Sequence, residues 1–188
     1  MPMTRRPLPR QQVPDLSVPL VGGPRWRLCD QKPQHFTMLL FYRGLHCSEC
    51  KAYLQEAEAR LKAFRAQGVS VIALSCDSEE RGLATEREWG LEFLPLAHGL
   101  TARQGRSFGL YLSRGREGVV TKLGLQEPHV FVEPGLFLIR PDRTLYFASV
   151  QNMPFARPHL SDVLGMITWA VANNYPARGD LEDPSAVG

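Results

Sequence analysis

The stretch Thr37–Leu54, "TMLLFYRGLHCSECKAYL", decides how the rest of the chain is read. Met38–Tyr42 is a compact apolar run that predicts a buried strand. Gly44 then turns the chain, and Cys47 and Cys50 follow with two residues between them. Past Cys47 the period changes: Leu54, Ala57, Leu61 and Phe64 share one face, and Gly68 supplies a stop, so a helix is expected. Two of the chain's four cysteines therefore sit where a strand hands over to a helix. They are half of a metal site, inert packing residues, or a redox pair.

Placement favours the third. A cysteine that opens a helix lies among unpaired backbone N–H groups, where the helix dipole favours an anion. The thiolate is the reactive form, so this position activates Cys47 and makes it the more acidic and more exposed thiol. Cys50, one turn on, lies on the same side and closes a small Cys47–Cys50 disulfide ring. Structural zinc would need two more ligands, and Cys29, Cys76, His46 and His98 offer no second paired spacing. A polar Ser48-Glu49 between the cysteines argues against two inert core residues.

Bulk properties narrow the setting. The chain has 188 residues, 44% hydrophobic and 22% charged, with a formal net charge of +3. Those values suit one globular domain with a real core and no strong charge bias. Arginines are dispersed and never interleaved with aromatics, so nucleic acid is not an expected partner. No apolar run approaches the roughly 18–20 residues that span a bilayer. "MPMTRRPLPRQQVPDL" lacks the apolar core of a secretory signal, which points to a cytoplasmic setting in which thiols stay reduced.

Residues 1–12 read as a flexible lead-in, 13–175 as a single domain and 176–188 as a tail. "VPDLSVPLVGGPRWRLC" suggests short strands joined by a turn. Val69–Leu74 is a second buried strand, Ser78 caps a helix to about Trp89, and Thr101 caps another ending near Phe108. Residues 113–129 read as an irregular connection or insertion. "VFVEPGLFLI" and "TLYFASV" flank the turn "RPDR" as an antiparallel hairpin. A last helix, roughly 158–174, buries Leu160, Val163, Leu164, Ile167 and Val171. The order is α/β, with a mixed sheet between helices.

On these residues a family resemblance rests. "FYRGLHCSECKAYL", "VSVIALSCDSEE" and "EPGLFLIRPDRTLYF" resemble the thioredoxin-like superfamily, and most closely the peroxiredoxin-like members of the alkyl hydroperoxide reductase/thiol-specific antioxidant family. The resemblance covers approximately residues 13–172. It implies a thioredoxin-like fold with an N-terminal hairpin, and reduction of disulfides or peroxides at the cysteines by an external thiol, a thioredoxin-like protein or glutathione. No cofactor or metal is implied, and no nucleotide motif is present. The oligomeric state stays open, a homodimer being one option.

Two branches of the superfamily assign the residues differently. The peroxiredoxin pattern would make Cys50 peroxidatic, but it has Arg43 where that pattern has proline and Cys47 where it has a hydroxyl residue. Its second arginine falls on Pro134. In the thioredoxin-type branch Cys47 is the nucleophile, Cys50 resolves, and Pro134 packs beside them through a cis peptide bond. That branch is the expectation carried forward, with Arg43 supporting the thiolate, Glu49 opposing it, Lys51 offsetting Glu49 and His46 an ordinary loop histidine. Cys76 is read as a small buried hydrophobe and Cys29 as a residue without a role. A redox-sensing or inert interaction module on the same fold is the alternative outside catalysis.

Overall fold

The computed structural model describes residues 6–182 and residue 185. Along the chain run β1 (Ser17–Pro19), β2 (Arg25–Arg27), β3 (Phe36–Phe41), α1 (Ser48–Ala66), β4 (Val69–Leu74), α2 (Glu79–Trp89) and β5 (Leu96–Ala97). They are followed by α3 (Ala102–Ser107), β6 (Leu112–Arg114), β7 (Val130–Val132), β8 (Gly135–Ile139), β9 (Leu145–Val150) and α4 (Leu160–Ala172).

Five strands form the central sheet, in the order β5-β4-β3-β8-β9. β3, β4 and β5 are parallel, while β8 runs antiparallel to both β3 and β9. The near-continuous apolar sequence of β3 and β4 follows from this central place, since both faces are covered. Met38, Leu40 and Tyr42 point to one face, where α1 and α4 supply Leu54, Phe64, Leu160 and Ile167. Leu39 and Phe41 point to the other, against Phe108, Leu110 and Phe137. Phe41, Phe108 and Phe137 meet there at centroid distances of 5.4–5.5 Å, an aromatic cluster with edge and tilted contacts.

Helix ends follow local chemistry. The Ser78 hydroxyl accepts the Arg81 N–H at the start of α2, and Gly90 in the left-handed region ends it. Thr101 and Gln104 form a reciprocal capping box on α3. The short N-terminal hairpin pairs Ser17 with Arg27 and Pro19 with Arg25. The end of the lead-in is fastened: Arg10 N–H donates to the Leu145 carbonyl at 2.8 Å, and its guanidinium pairs with Asp180 at 2.9 Å.

Two expectations change. "VFVEPGLFLI" does not form one strand: β7 pairs with β6, whereas β8 enters the central sheet. The break falls at Glu133–Pro134, because Pro134 has no N–H for a ladder and Glu133 N–H donates to the Tyr111 carbonyl at 2.8 Å. The stretch read as irregular also has order, since β6–β7 and a Val120–Gln126 bridge fold it back on itself.

Candidate active site

β3 is extended by Tyr42, whose N–H donates to the Leu74 carbonyl at 3.0 Å. Gly44 then adopts φ +125°, a conformation that favours glycine, and a Cβ there would fall 2.6 Å from Asp77 Oδ2. Leu45 N–H donates to that same carboxylate oxygen at 2.7 Å. Cys47 N–H donates back to the Gly44 carbonyl at 3.1 Å, completing the turn. The sequence's glycine is thus fixed by conformation and by lack of space together.

Cys47 is the N-cap of α1, and its Sγ accepts the Cys50 N–H at 3.2 Å. An orphan donor of the first helical turn is therefore directed at this sulfur. Cys47 and Cys50 form a disulfide, their Cα atoms 5.2 Å apart, inside the ordinary range for such a bond. The expected exposure of Cys47 is not found. Cys47 is 2% exposed and Cys50 fully covered, and both lie in the core cluster with Tyr42, Leu45 and Leu54.

That segment brings in a residue the sequence reading did not single out. Arg157 Nη2 donates to Cys50 Sγ at 2.9 Å. Its guanidinium lies over the Tyr53 ring, 5.0 Å from the centroid, and the Tyr53 hydroxyl donates to the Pro158 carbonyl at 2.9 Å. Burial draws the Arg157 pKa down to about 10, so it stays charged at neutral pH. A groove of about 410 Å³, walled by Tyr53, Pro154, Phe155 and Pro158, has Arg157 in its lining. A lone arginine 107 residues beyond Cys50 carried no sequence signal.

Arg43 is engaged elsewhere. Its guanidinium stands 3.4 Å from Glu133 and 3.5 Å from Glu127, and 4.7 Å from the Phe131 ring centroid. The role expected of Arg43 at the sulfur is thus occupied by Arg157. Arg43 instead ties the turn before Cys47 to β7 and to the excursion before it. Glu133 is buried and also accepts the Ser113 hydroxyl at 2.6 Å.

Pro134 needs a correction. No peptide bond among the described residues is cis, so Glu133–Pro134 is trans. The proline still stands at the edge of the sheet that carries the cysteines, since Gly135 pairs with Phe41 at the end of β3. Its carbonyl accepts the Gln151 N–H at 3.0 Å, which leads into the segment holding Arg157.

His46 is buried rather than a plain loop residue. It packs edge-on against Phe131 at 4.8 Å, with neither ring nitrogen partnered. Burial, then the Arg43 charge, lowers its pKa to about 4 and keeps it neutral. Glu49 accepts the Ser48 hydroxyl, which is the main cause holding its carboxyl below the usual range. Lys51 donates to the Glu88 carbonyl at 3.2 Å, and the cation near Glu49 is Lys122 at 3.8 Å.

Cys76 lies past the end of β4, which runs parallel to β3, and packs against the opposite face from the pair. Burial pushes its thiol pKa up. Cys29 Sγ approaches Asp30 at 3.5 Å.

A dithiol at the junction of a parallel strand and a helix, in a mixed sheet covered on both faces, defines a thioredoxin-like redox protein. The sequence profile of the AhpC/TSA family matches residues 9–148, and the chain belongs to that family. It is a thiol-dependent oxidoreductase of the peroxiredoxin-like kind. No curated protein matches it in sequence. Solved structures share the fold. Peroxidoxin BcpB from Mycobacterium tuberculosis is 19% identical, with a TM-score of 0.67 over 87% of this chain and 98% of that one. The mitochondrial 2-Cys peroxiredoxin from Plasmodium falciparum is 18% identical, with a TM-score of 0.67 over 89% and 96%. A peroxiredoxin-like protein from Aquifex aeolicus is 13% identical, with a TM-score of 0.66 over 89% and 90%. Among the described residues, no helix is long and apolar enough to cross a membrane.

Proposed function

We propose that this protein reduces peroxides with Cys50 as the attacking thiolate and Cys47 as the resolving thiol. The observation that carries the reading is the Arg157 guanidinium on Cys50 Sγ at 2.9 Å. A charge-assisted bond to the thiolate lowers its pKa and holds it ready. The trans Glu133–Pro134 bond removes the main reason for preferring a thioredoxin-type exchange surface.

The Cys50 thiolate attacks the terminal peroxide oxygen, the O–O bond breaks, and the leaving alkoxide takes a proton from water to become an alcohol. Cys50 is then a sulfenic acid. The Cys47 thiol attacks that sulfur, water leaves, and the Cys47–Cys50 disulfide forms with little backbone movement. An external dithiol of the thioredoxin type, or two glutathione thiols, reduces the bridge and is itself oxidised. Attack at Cys47 releases Cys50 as the leaving thiolate beside Arg157. A reducing compartment such as the cytosol suits this cycle, and the free thiols of Cys29 and Cys76 are consistent with it.

A second reading has its own observation. The Cys50 N–H on Cys47 Sγ favours Cys47 as the nucleophile toward a substrate disulfide. Assaying consumption of a dithiol with either hydrogen peroxide or an oxidised peptide separates the two. Peroxide-dependent consumption that survives in Cys47→Ser for one turnover, and is lost in Cys50→Ser, supports the peroxidase. Loss of disulfide exchange in Cys47→Ser, with no peroxide consumption in the wild type, overturns it.

A further inference from the structure

Asp77 is a buried carboxylate that the reaction above does not use. Its side chain is wholly covered, and it reaches the site from the loop between β4 and α2. One oxygen, Oδ2, accepts the Leu45 N–H at 2.7 Å. The other, Oδ1, accepts Arg81 Nε–H at 2.8 Å. Asp77 is itself held, since its carbonyl accepts the Gly99 N–H at 2.8 Å and its own N–H donates to Ser75 Oγ at 3.3 Å. The carboxylate fills the space where a side chain at position 44 would stand. Residues 44–47 are thereby pinned twice, by Asp77 on Leu45 N–H and by the Gly44 carbonyl on Cys47 N–H at 3.1 Å.

We propose that Asp77 is a positioning residue for the cysteine pair, holding the Gly44–Leu45 turn so that Cys47 caps α1 and receives the Cys50 N–H on its sulfur. Arg81 orients the carboxylate and balances its charge. The proposal rests on the pair being redox-active, and not on which cysteine attacks peroxide. Asp77→Asn keeps the shape but turns an amide N–H2 toward Arg81 or toward Leu45 N–H, so one of the two bonds is lost. Arg43, His46, Glu49, Tyr53, Lys122, Glu133 and Arg157 keep their charge states, but the variant removes the Asp77 charge and leaves Arg81, whose field reaches His46, unbalanced. Charge alone would therefore lower the Cys47 midpoint, opposite to the effect of releasing the turn.

The test measures the pH midpoint for iodoacetamide labelling of Cys47 in the reduced protein, beside the rate of Cys47–Cys50 disulfide formation with limiting oxidant. In Asp77→Asn the labelling midpoint is expected to rise by about half a unit to one unit, the size of a helix N-terminal effect. Oxidation is expected to slow roughly tenfold. A purely structural role would lower the melting temperature, and loss of the Asp77 charge alone would lower the midpoint; neither raises it. If Asp77→Asn does not fold, Arg81→Gln takes its place, with a smaller midpoint shift that Arg81→Lys partly restores. An unchanged or lowered midpoint with a wild-type oxidation rate in a folded Asp77→Asn, or a wild-type midpoint and rate in Arg81→Gln where the first variant is unfolded, overturns the proposal. A wild-type protein that ignores peroxide while Asp77→Asn shifts the labelling midpoint would remove the peroxidase reading and leave this one standing.

Discussion

Two arginines face the cysteine region, and they do opposite things. Arg43 stands four residues before Cys47, yet it lies between Glu127 and Glu133 and against Phe131. Arg157 comes from the far end of the chain and donates directly to Cys50 Sγ. Nearness in sequence put Arg43 beside the motif without aiming it there. Residue 43 is the last before the glycine turn, and its side chain leaves toward β7 rather than toward α1. Arg157 is aimed by neighbours on both sides, with Pro158 anchored to Tyr53 and Gln151 to Pro134. One arginine is a strut between the site and the excursion before β7, and the other is part of the sulfur's environment.

The largest effect that would sharpen this contrast lies at the sulfur itself. Cys50→Ser is expected to abolish multiple-turnover peroxide reduction, measured by peroxide loss in the presence of dithiothreitol. Next, Arg157→Gln should slow peroxide reduction roughly 10- to 100-fold, because a charge-assisted hydrogen bond is worth about 1.5–3 kcal/mol. Arg157→Lys should recover part of that loss. Arg43→Gln is expected to change the rate less than about threefold while lowering stability by about 1–3 kcal/mol in urea unfolding, since two nearly buried carboxylates lose a cation. An Arg43→Gln protein of full stability with a 100-fold slower reaction would invert the comparison.

How much of this was legible follows from range. The strand before the cysteines, the helix after them and the caps at Ser78 and Thr101 depend on residues a few positions apart, and the sequence carries them. The break between β7 and β8 depends on where Glu133 N–H finds an acceptor, Tyr111, which no local pattern discloses. Pro134 is visible as a proline ahead of an apolar strand, but sequence position does not determine the isomer of its peptide bond, which is trans. Arg157 lies in a stretch without periodicity, and its role exists only through a contact across 107 residues. His46 is the intermediate case. Its position beside Cys47 is plain in the sequence, whereas its burial against Phe131 is not.

That burial has a measurable consequence. The native His46 ring stays neutral down to about pH 4, whereas an unfolded histidine takes up its proton near pH 6.5. Between those values the unfolded chain binds more protons, so stability rises with pH through the window. The stabilisation is complete above about pH 6.5 and declines as pH falls toward 4, by about 2 kcal/mol at pH 5. Urea unfolding at pH 7 and pH 5 should show this decline, and His46→Phe should flatten it while keeping the ring contact with Phe131. The smallest effects are expected at the remaining thiols. Cys76→Ser and Cys29→Ser should retain peroxide turnover within about twofold, and Cys76 should alkylate slowly at neutral pH because burial raises its pKa. Loss of turnover in Cys76→Ser would bring a third cysteine into the cycle.

The central claim is that the arginine-contacted sulfur meets the peroxide. The most direct measurement treats reduced Cys47→Ser and reduced Cys50→Ser with one equivalent of hydrogen peroxide in the presence of dimedone, and locates the adduct by peptide mass spectrometry. The account predicts a stoichiometric adduct on Cys50 in the Cys47→Ser protein and little on Cys47 in the Cys50→Ser protein. A rapid, stoichiometric adduct on Cys47 in Cys50→Ser, with Cys50 unmodified in Cys47→Ser, would contradict it and give the attacking role to the helix-capping sulfur.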